Sequence, residues 1–286
     1  MPTDRIPPLL ERLSNARPSL RRSEAKVLDL VMTDPRLVVD STMAGVAAAA
    51  DVSEPTVMRF STSLGFDGFQ QFRLALAEAL ALGLPAGLST IGTDDDAPTL
   101  TAKIFDHTLS SLDRARSYLD PDAVDRAVAA ILESTSIVLI GHGASAVIAM
   151  DAAQKSVLFG VPCVAPDDPH QWFMSVAMAS PETLVVAISN TGSTRSVLEI
   201  VQHAHDRRLR VVALTGSDDT PLARLADIAL VVKTFENTDL YTPTVSRLAG
   251  LVVVDILATA VAVRRGEAHA QDLARMKSGL TAFRRD

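Results

Sequence analysis

The chain has 286 residues, 48% of them hydrophobic and only 4% aromatic, with a formal net charge of −7. That length accommodates two domains, and apolar content dominated by Ala, Val and Leu suits helices packed on a parallel sheet. A single cysteine, Cys163, excludes an intramolecular disulfide and a cysteine-based zinc site, and the acidic total means that any contact with nucleic acid must come from a local basic cluster.

The N-terminal stretch MPTDRIPPLLERLSN lacks the apolar centre of a secretory signal. No uninterrupted apolar run reaches about 18 residues. LAGLVVVDILATAVAV comes near, but Asp255 interrupts it. A soluble cytoplasmic protein with no membrane partner is expected.

Residues 1–81 read as an all-helical domain. Within it, residues 1–80 hold 9 Lys and Arg against 10 Asp and Glu. The local balance differs: between residues 12 and 26, Arg12, Arg17, Arg21, Arg22 and Lys26 face only Glu24. Such a cluster can track phosphates, or it can be a solvated helix face. Arg21 and Arg22 are the candidate phosphate contacts.

The segment STMAGVAAAADVSEPTVMRFSTSLGFDGFQQF is the sharpest in this half. A helix beginning at Ser41 or Thr42 carries Met43, Val46, Ala47 and Ala50 on one side. A short turn, Asp51-Val52, leads to Ser53 as N-cap, with Glu54 and Pro55 favoured in the first turn of a second helix. That helix turns Val57, Phe60 and Leu64 inward, and Gly65 ends it. Two short helices joined by a tight turn predict a helix-turn-helix. In that geometry Ser53, Glu54, Thr56 and Arg59 face DNA: Arg59 can take guanine O6 and N7 or a phosphate, and Glu54 can accept from a cytosine amine. A plain helical hairpin is the alternative.

Residues 82–99, rich in Gly, Pro, Thr and consecutive Asp, read as a linker to a second domain over residues 100–286. Helices are expected around Ile104–Leu119 and Asp122–Leu132. Five β-rich runs follow, SIVLIG, VPCVA, TLVVAIS, RVVALTG and IALVV. Between them lie helical patterns over Ala146–Phe159, Trp172–Ala179, Thr194–Arg207 and Leu222–Ala226. This alternation predicts an α/β domain with a doubly wound, mostly parallel sheet of about five strands. Val245–Arg264 and Ala268–Phe283 close the chain as helices. The first reads as buried on nearly all sides, which suggests dimer packing, and Asp255 reads as a paired structural carboxylate.

In such a sheet, ligands bind beyond the carboxyl ends of the strands. Two loops there carry suitable chemistry. GHGAS follows the first strand: Gly141 and Gly143 allow close backbone approach, and Ser145 starts a helix. SNTGSTR follows the third: Ser189, Thr191, Ser193 and Thr194 offer hydroxyls before a helix N-terminus. A phosphate suits both. GHGASA with Asp167 also fits a loose dinucleotide fingerprint, but two hydroxyl-rich loops favour one compact phosphate over a pyrophosphate, so no cofactor is expected. His142, His170, Glu199 and Glu236 are acid–base candidates by type, yet no tight acid–base pair stands out, and no catalytic residue is assigned. The stretch ENTDLYTPTVSR, with Glu236, Tyr241, Thr242 and Arg247, can line the pocket or a subunit contact.

SEPTVMRF, LGFDGFQQFRLALA and the loops of the second half together resemble the RpiR family of bacterial regulators, a helix-turn-helix fused to a SIS (sugar isomerase) domain. The resemblance covers nearly the whole chain. It implies a dimeric transcription factor, a repressor, that binds a pseudopalindromic operator and senses a phosphosugar; pairing of dimers into a tetramer is left open. KIFDHTL, DDPHQ and ENTDLYTPTVSRLAGLVVVDILA look most like the branch that controls glucose catabolism through the Entner–Doudoroff route. That likeness implies 2-keto-3-deoxy-6-phosphogluconate as effector; another phosphosugar, or less readily an isomerase activity, is the alternative. In the family the two loops hold the ligand phosphate, which implies roles for Gly143, Ser145, Ser189, Thr191, Ser193 and Thr194. Three positions depart from the family pattern. Asp51 stands where Gly is usual, Thr62 replaces a basic residue three after Arg59, and Thr191 replaces a Ser.

Overall fold

The computed structural model describes Leu9, Leu13 and residues 16–81, 95–234 and 244–282. They fall into two units, Met1–Ser110 and Ser111–Asp286. The expected linker at 82–99 lies largely outside the described residues, as do Arg12 and the segment 235–243.

The first unit is helical. A 3-10 turn over Arg17–Ser19 precedes α1 (Arg22–Thr33), α2 (Pro35–Asp40), α3 (Met43–Ala49), α4 (Glu54–Ser63) and α5 (Phe69–Ala81). The starts are set by local chemistry. Pro35 opens α2 while Asp34 accepts from the Leu37 N–H at 2.9 Å, and Thr42 caps α3 by accepting from the Gly45 N–H at 3.2 Å. The apolar faces converge on Val27, Val31, Val38, Val46, Val57, Phe60 and Phe72, all buried. Phe60 meets Phe72 edge-on, with ring centroids 5.4 Å apart. Truncating either ring would cost about 3–5 kcal/mol, so the orientation of α4 is well fixed.

The helix α6 (Ala97–Tyr118) contains the division between the units. The second unit then runs α7 (Pro121–Glu133), β1 (Ser136–Ile140), α8 (Ala144–Gln154), α9 (Ser156–Phe159), β2 (Cys163–Val164), α10 (Pro169–Ala177), β3 (Thr183–Ser189), α11 (Arg195–Asp206), β4 (Arg210–Thr215), α12 (Pro221–Leu225), β5 (Ile228–Val231), α13 (Val245–Arg264) and α14 (Gly266–Ala282). All strand pairs are parallel, in the order β2-β1-β3-β4-β5. The expected doubly wound, five-stranded sheet is therefore present.

Strand alternation divides the core into two layers. Ile137, Leu139, Leu184, Ile188, Val212 and Leu214 face α7, α8 and α13. Val138, Ile140, Val185, Ala187, Val211 and Ala213 face α10, α11 and α12, with Trp172 fully buried among them.

Three expectations need adjustment. The helix expected over Ala146–Phe159 is two, α8 and α9, separated at Lys155. The second strand shrinks to two residues, because Pro162 has no N–H for the ladder and only its carbonyl is used, by the Ile137 N–H at 2.9 Å. The helix α13 buries Val245, Ala249, Val253 and Val261 but leaves Leu248, Val252, Ile256 and Val263 exposed, so its apolar character is not consumed within one chain. Among the described helices α13 is long and apolar enough to cross a membrane, yet half of it is packed into this core. Its Asp255 is paired as expected, with Lys155 Nζ at 3.2 Å. Burial pushes the Cys163 thiol up to about 12, which leaves it protonated and unreactive near neutrality.

Candidate functional site

The helix-turn-helix reading rests on α3, α4 and the turn between them. Asp51 takes the left-handed backbone that glycine would favour, with φ 50°. Lys26 Nζ donates to its carboxylate at 2.7 Å and lies 3.3 Å from its carbonyl oxygen. The hydrogen bond from Lys26, and then the lysine charge, hold the Asp51 carboxyl below its ordinary range. The departure from Gly therefore keeps the turn and ties it to α1. Val52 closes it by donating to the Ala47 carbonyl at 2.9 Å.

Ser53 precedes α4 with extended backbone, as an N-cap should, but its hydroxyl meets the Thr56 hydroxyl at 3.0 Å rather than a backbone N–H. Glu54 and Arg59 are exposed at the start and middle of the helix. Thr56 is not: at 4% exposure it cannot present its side chain outward as expected. It faces inward because it shares a side of α4 with Val57 and Phe60. Its hydroxyl instead accepts from Arg59 Nη2 at 3.1 Å. A second partner of Arg59 escaped the sequence reading. Glu24, only 5% exposed, lies 3.6 Å from Arg59 Nε through Oε1, and its Oε2 accepts the Arg21 backbone N–H at 3.1 Å.

The upstream basic cluster is thinner than its sequence. Arg17 is paired with Asp29 at 2.8 Å and Lys26 with Asp51. Arg21 and Arg22 are exposed, and neither side chain has an ion pair among the described residues. Thr62 turns back to the Arg59 carbonyl at 3.0 Å.

In the second unit the chain leaves β1 for β2 on one side and returns to β3 on the other. The connections therefore diverge beyond the C-terminal ends of β1 and β3, which opens a crevice there. A cleft of about 180 Å³ occupies it. Ser145, Ser189, Thr191 and Thr194 all line it, together with His142, Asn190, Thr215 and Arg247. Gly143 and Ser193 belong to the same loops but not to the lining. Gly143 holds φ 55° just before α8, and an added Cβ there would meet nothing. Ser193 is exposed.

The hydroxyls divide by what they already do. Ser189, buried at the end of β3, meets the Thr194 hydroxyl at 3.0 Å and accepts the Gly192 N–H at 3.2 Å, so the pair braces its own loop. The side-chain hydroxyls of Ser145 and Thr191 have no hydrogen-bond partner among the described residues and are free for a ligand. Gly192 has φ 59°, and a Cβ on it would come within 2.4 Å of Thr220. Only glycine closes this turn, which leads into α11, a twelve-residue helix whose N-terminal N–H groups attract anions.

The acid–base candidates do not assemble. His142 lines the cleft, 2.8 Å from Ser196 Oγ and 4.5 Å from Trp172 between ring centroids. His170 and Glu199 border a different groove, between α10 and α11, and Glu199 is paired with Arg195 at 2.7 Å. Glu236, Tyr241 and Thr242 lie outside the described residues. No Asp or Glu lines the cleft among the described residues. The lining sequence reasoning missed is Asn190, Thr215 and Ser246; Thr215 reaches it as the register partner of Ser189.

Comparison with known proteins bears on both units. Residues 8–83 match the helix-turn-helix domain of the rpiR family, and residues 130–260 match the SIS domain. The HTH-type transcriptional regulator HexR of Escherichia coli is 40% identical over 278 residues, spanning 97% of this chain and 96% of its own. HexR of Pseudomonas aeruginosa is 37% identical over 276 residues, 96% of each chain. In fold, the chain is similar to Vibrio vulnificus NanR complexed with ManNAc-6P, with a TM-score of 0.60 at 24% identity over 97% of this chain and 100% of that one.

Proposed function

Because the chain belongs to the RpiR family of helix-turn-helix regulators carrying a SIS domain, we propose that it represses genes of glucose catabolism and that 2-keto-3-deoxy-6-phosphogluconate releases it from DNA. The coarser statement holds without the proposal: it is a DNA-binding transcriptional regulator that senses a phosphosugar, in a family of regulators rather than enzymes.

The observation that carries the reading is the cleft beyond β1 and β3, where Ser145, Ser189, Thr191 and Thr194 meet. Neutral donors at two helix starts hold a phosphate without needing a catalytic group. At the other end, Arg59 and Glu54 contact bases while Ser53, Arg21 and Arg22 contact the backbone, with Thr56 orienting Arg59. Likeness to HexR along nearly the full chain supports the choice of regulon and effector. The active species is a dimer on two half-sites, and the exposed apolar stripe of α13 supports association. Residues 1–81 serve as the DNA-binding domain and 100–286 as the sensing domain.

The test is an electrophoretic mobility shift with DNA upstream of glucose-catabolism genes of the source organism. The keto acid is titrated, with glucose 6-phosphate and inorganic phosphate as controls. Selective release by the keto acid is expected. A specific complex that none of the three disturbs would overturn the effector, and the absence of a specific complex would overturn the regulon.

A further inference from the structure

Among the described groups lining the cleft, Arg247 supplies the guanidinium, and its side chain has no hydrogen bond or ion pair among the described residues. It is half-buried, on the first turn of α13. That position is electrostatically unfavourable. The N-terminal end of a helix carries a partial positive charge, which a guanidinium opposes, and α13 has no acidic residue in its first turn to compensate. Among the described residues the cleft offers no Asp or Glu either. Among the described residues no group in the cleft or the first turn of α13 compensates this charge, which points to a compensating group on the ligand.

The phosphate does not need this arginine. It has the hydroxyls of Ser145 and Thr191 and the N-terminus of α11, all neutral donors. We propose that Arg247 recognises a second anionic group, the carboxylate of a phosphorylated sugar acid, and so selects sugar acids over neutral phosphosugars. The planar guanidinium fork matches a carboxylate in two parallel hydrogen bonds. Ile148, Ile188, Leu214 and Val232 supply apolar walls for the carbon chain. This assignment rests on the phosphosugar reading of the cleft and adds to it the residue that selects an acid.

Isothermal titration of the full chain tests it with a matched pair. 6-Phosphogluconate and glucitol 6-phosphate share one open carbon chain and differ only in carboxylate against hydroxymethyl; 2-keto-3-deoxy-6-phosphogluconate is a second acid, and inorganic phosphate is the control. The wild type is expected to prefer at least one acid over glucitol 6-phosphate. Arg247→Ala should weaken that acid by about 10- to 100-fold, the worth of a lost charge-assisted hydrogen-bond pair. It should leave glucitol 6-phosphate and phosphate unchanged. Arg247→Lys should recover only part of the loss. The ligand-free Arg247→Ala protein should melt no lower than wild type, since no hydrogen bond or ion pair among the described residues is lost and a cation leaves a helix N-terminus. Equal weakening of all ligands would place Arg247 on the phosphate and overturn the proposal, as would an undiminished preference for acids or a drop in ligand-free stability. Binding of glucitol 6-phosphate as tightly as the acids would remove the carboxylate assignment and keep the phosphosugar site. No binding of any probe would remove both.

Discussion

Arg59 is held from two sides before any DNA arrives, by the Thr56 hydroxyl and by the Glu24 carboxylate. Both partners sit below the surface of the unit, so the guanidinium is oriented by groups that themselves cannot touch DNA. A pre-oriented fork loses less side-chain freedom on binding, and bidentate recognition of a guanine depends on its plane. Glu24→Gln keeps an oxygen for the Arg21 N–H but removes the charge that attracts Arg59. The variant should bind its specific DNA about 10-fold more weakly, roughly 1.4 kcal/mol. Its affinity for random duplex should stay level, because one negative charge near the phosphates is also gone. Fluorescence anisotropy on both duplexes measures the ratio; equal loss on both would mean that Glu24 only stabilises the fold. Arg59 was legible in the sequence because its place on a second, recognition-type helix follows from spacing. Glu24 was not, since it sits on another helix and looked like one acid diluting a basic cluster. Thr56 was misplaced for a related reason: a polar residue at the start of a helix reads as exposed until the neighbouring helices are packed on it.

The loop from Ser189 to Thr194 shows what an element adds to its residues. Its hydroxyls could be counted in the sequence, but the count does not say that Ser189 and Thr194 brace the turn while Thr191 stays free. The brace works only with Gly192 at φ 59°, where its N–H reaches Ser189 and its carbonyl accepts the Leu222 N–H at 3.0 Å. Gly192→Ala forces a Cβ into Thr220 and Thr215 and imposes a left-handed backbone on a residue that disfavours it. A destabilisation of roughly 2–4 kcal/mol is expected from overpacking and backbone strain together. Thermal unfolding measures the loss, and titration of phosphosugar should show that binding falls with it; a variant that melts like wild type would show that the loop can rearrange freely. At this scale most elements were legible, because the strands are short continuous β-rich runs and helix starts carry Pro, Asp or Thr. The break at Lys155 was not, since nothing in ASAVIAMDAAQKSVLF interrupts the helical pattern. Strand order was not either. That β1 lies beside β3 is a long-range pairing, and it is this pairing that places the two loops at one crevice.

For the whole molecule, the acidic total and the DNA-binding role are compatible because few of the charges bear on DNA. Within the described part of the basic cluster Arg17 and Lys26 are spent on Asp29 and Asp51, which leaves Arg21 and Arg22, with Arg59 held by Glu24 on the second helix of the motif. Modest phosphate neutralisation keeps the complex within reach of a small effector, since a ligand can shift an equilibrium only by its differential affinity for the two states. The two-domain order of the chain was legible from the change in composition near residue 82; the link between the domains is a thermodynamic property that no residue displays. It has a strict consequence. If the phosphosugar weakens operator binding by some factor, operator DNA must weaken phosphosugar binding by the same factor, commonly about 5- to 150-fold in linked systems. Titrating 2-keto-3-deoxy-6-phosphogluconate into the free protein, and then into protein saturated with its specific duplex, gives one side of the cycle. Operator titrations with and without saturating effector give the other. The two ratios should agree. Equal affinity of the cleft for the effector in free and DNA-bound protein, while the DNA complex still dissociates, would show that release runs through a second, separate binding event outside the cleft.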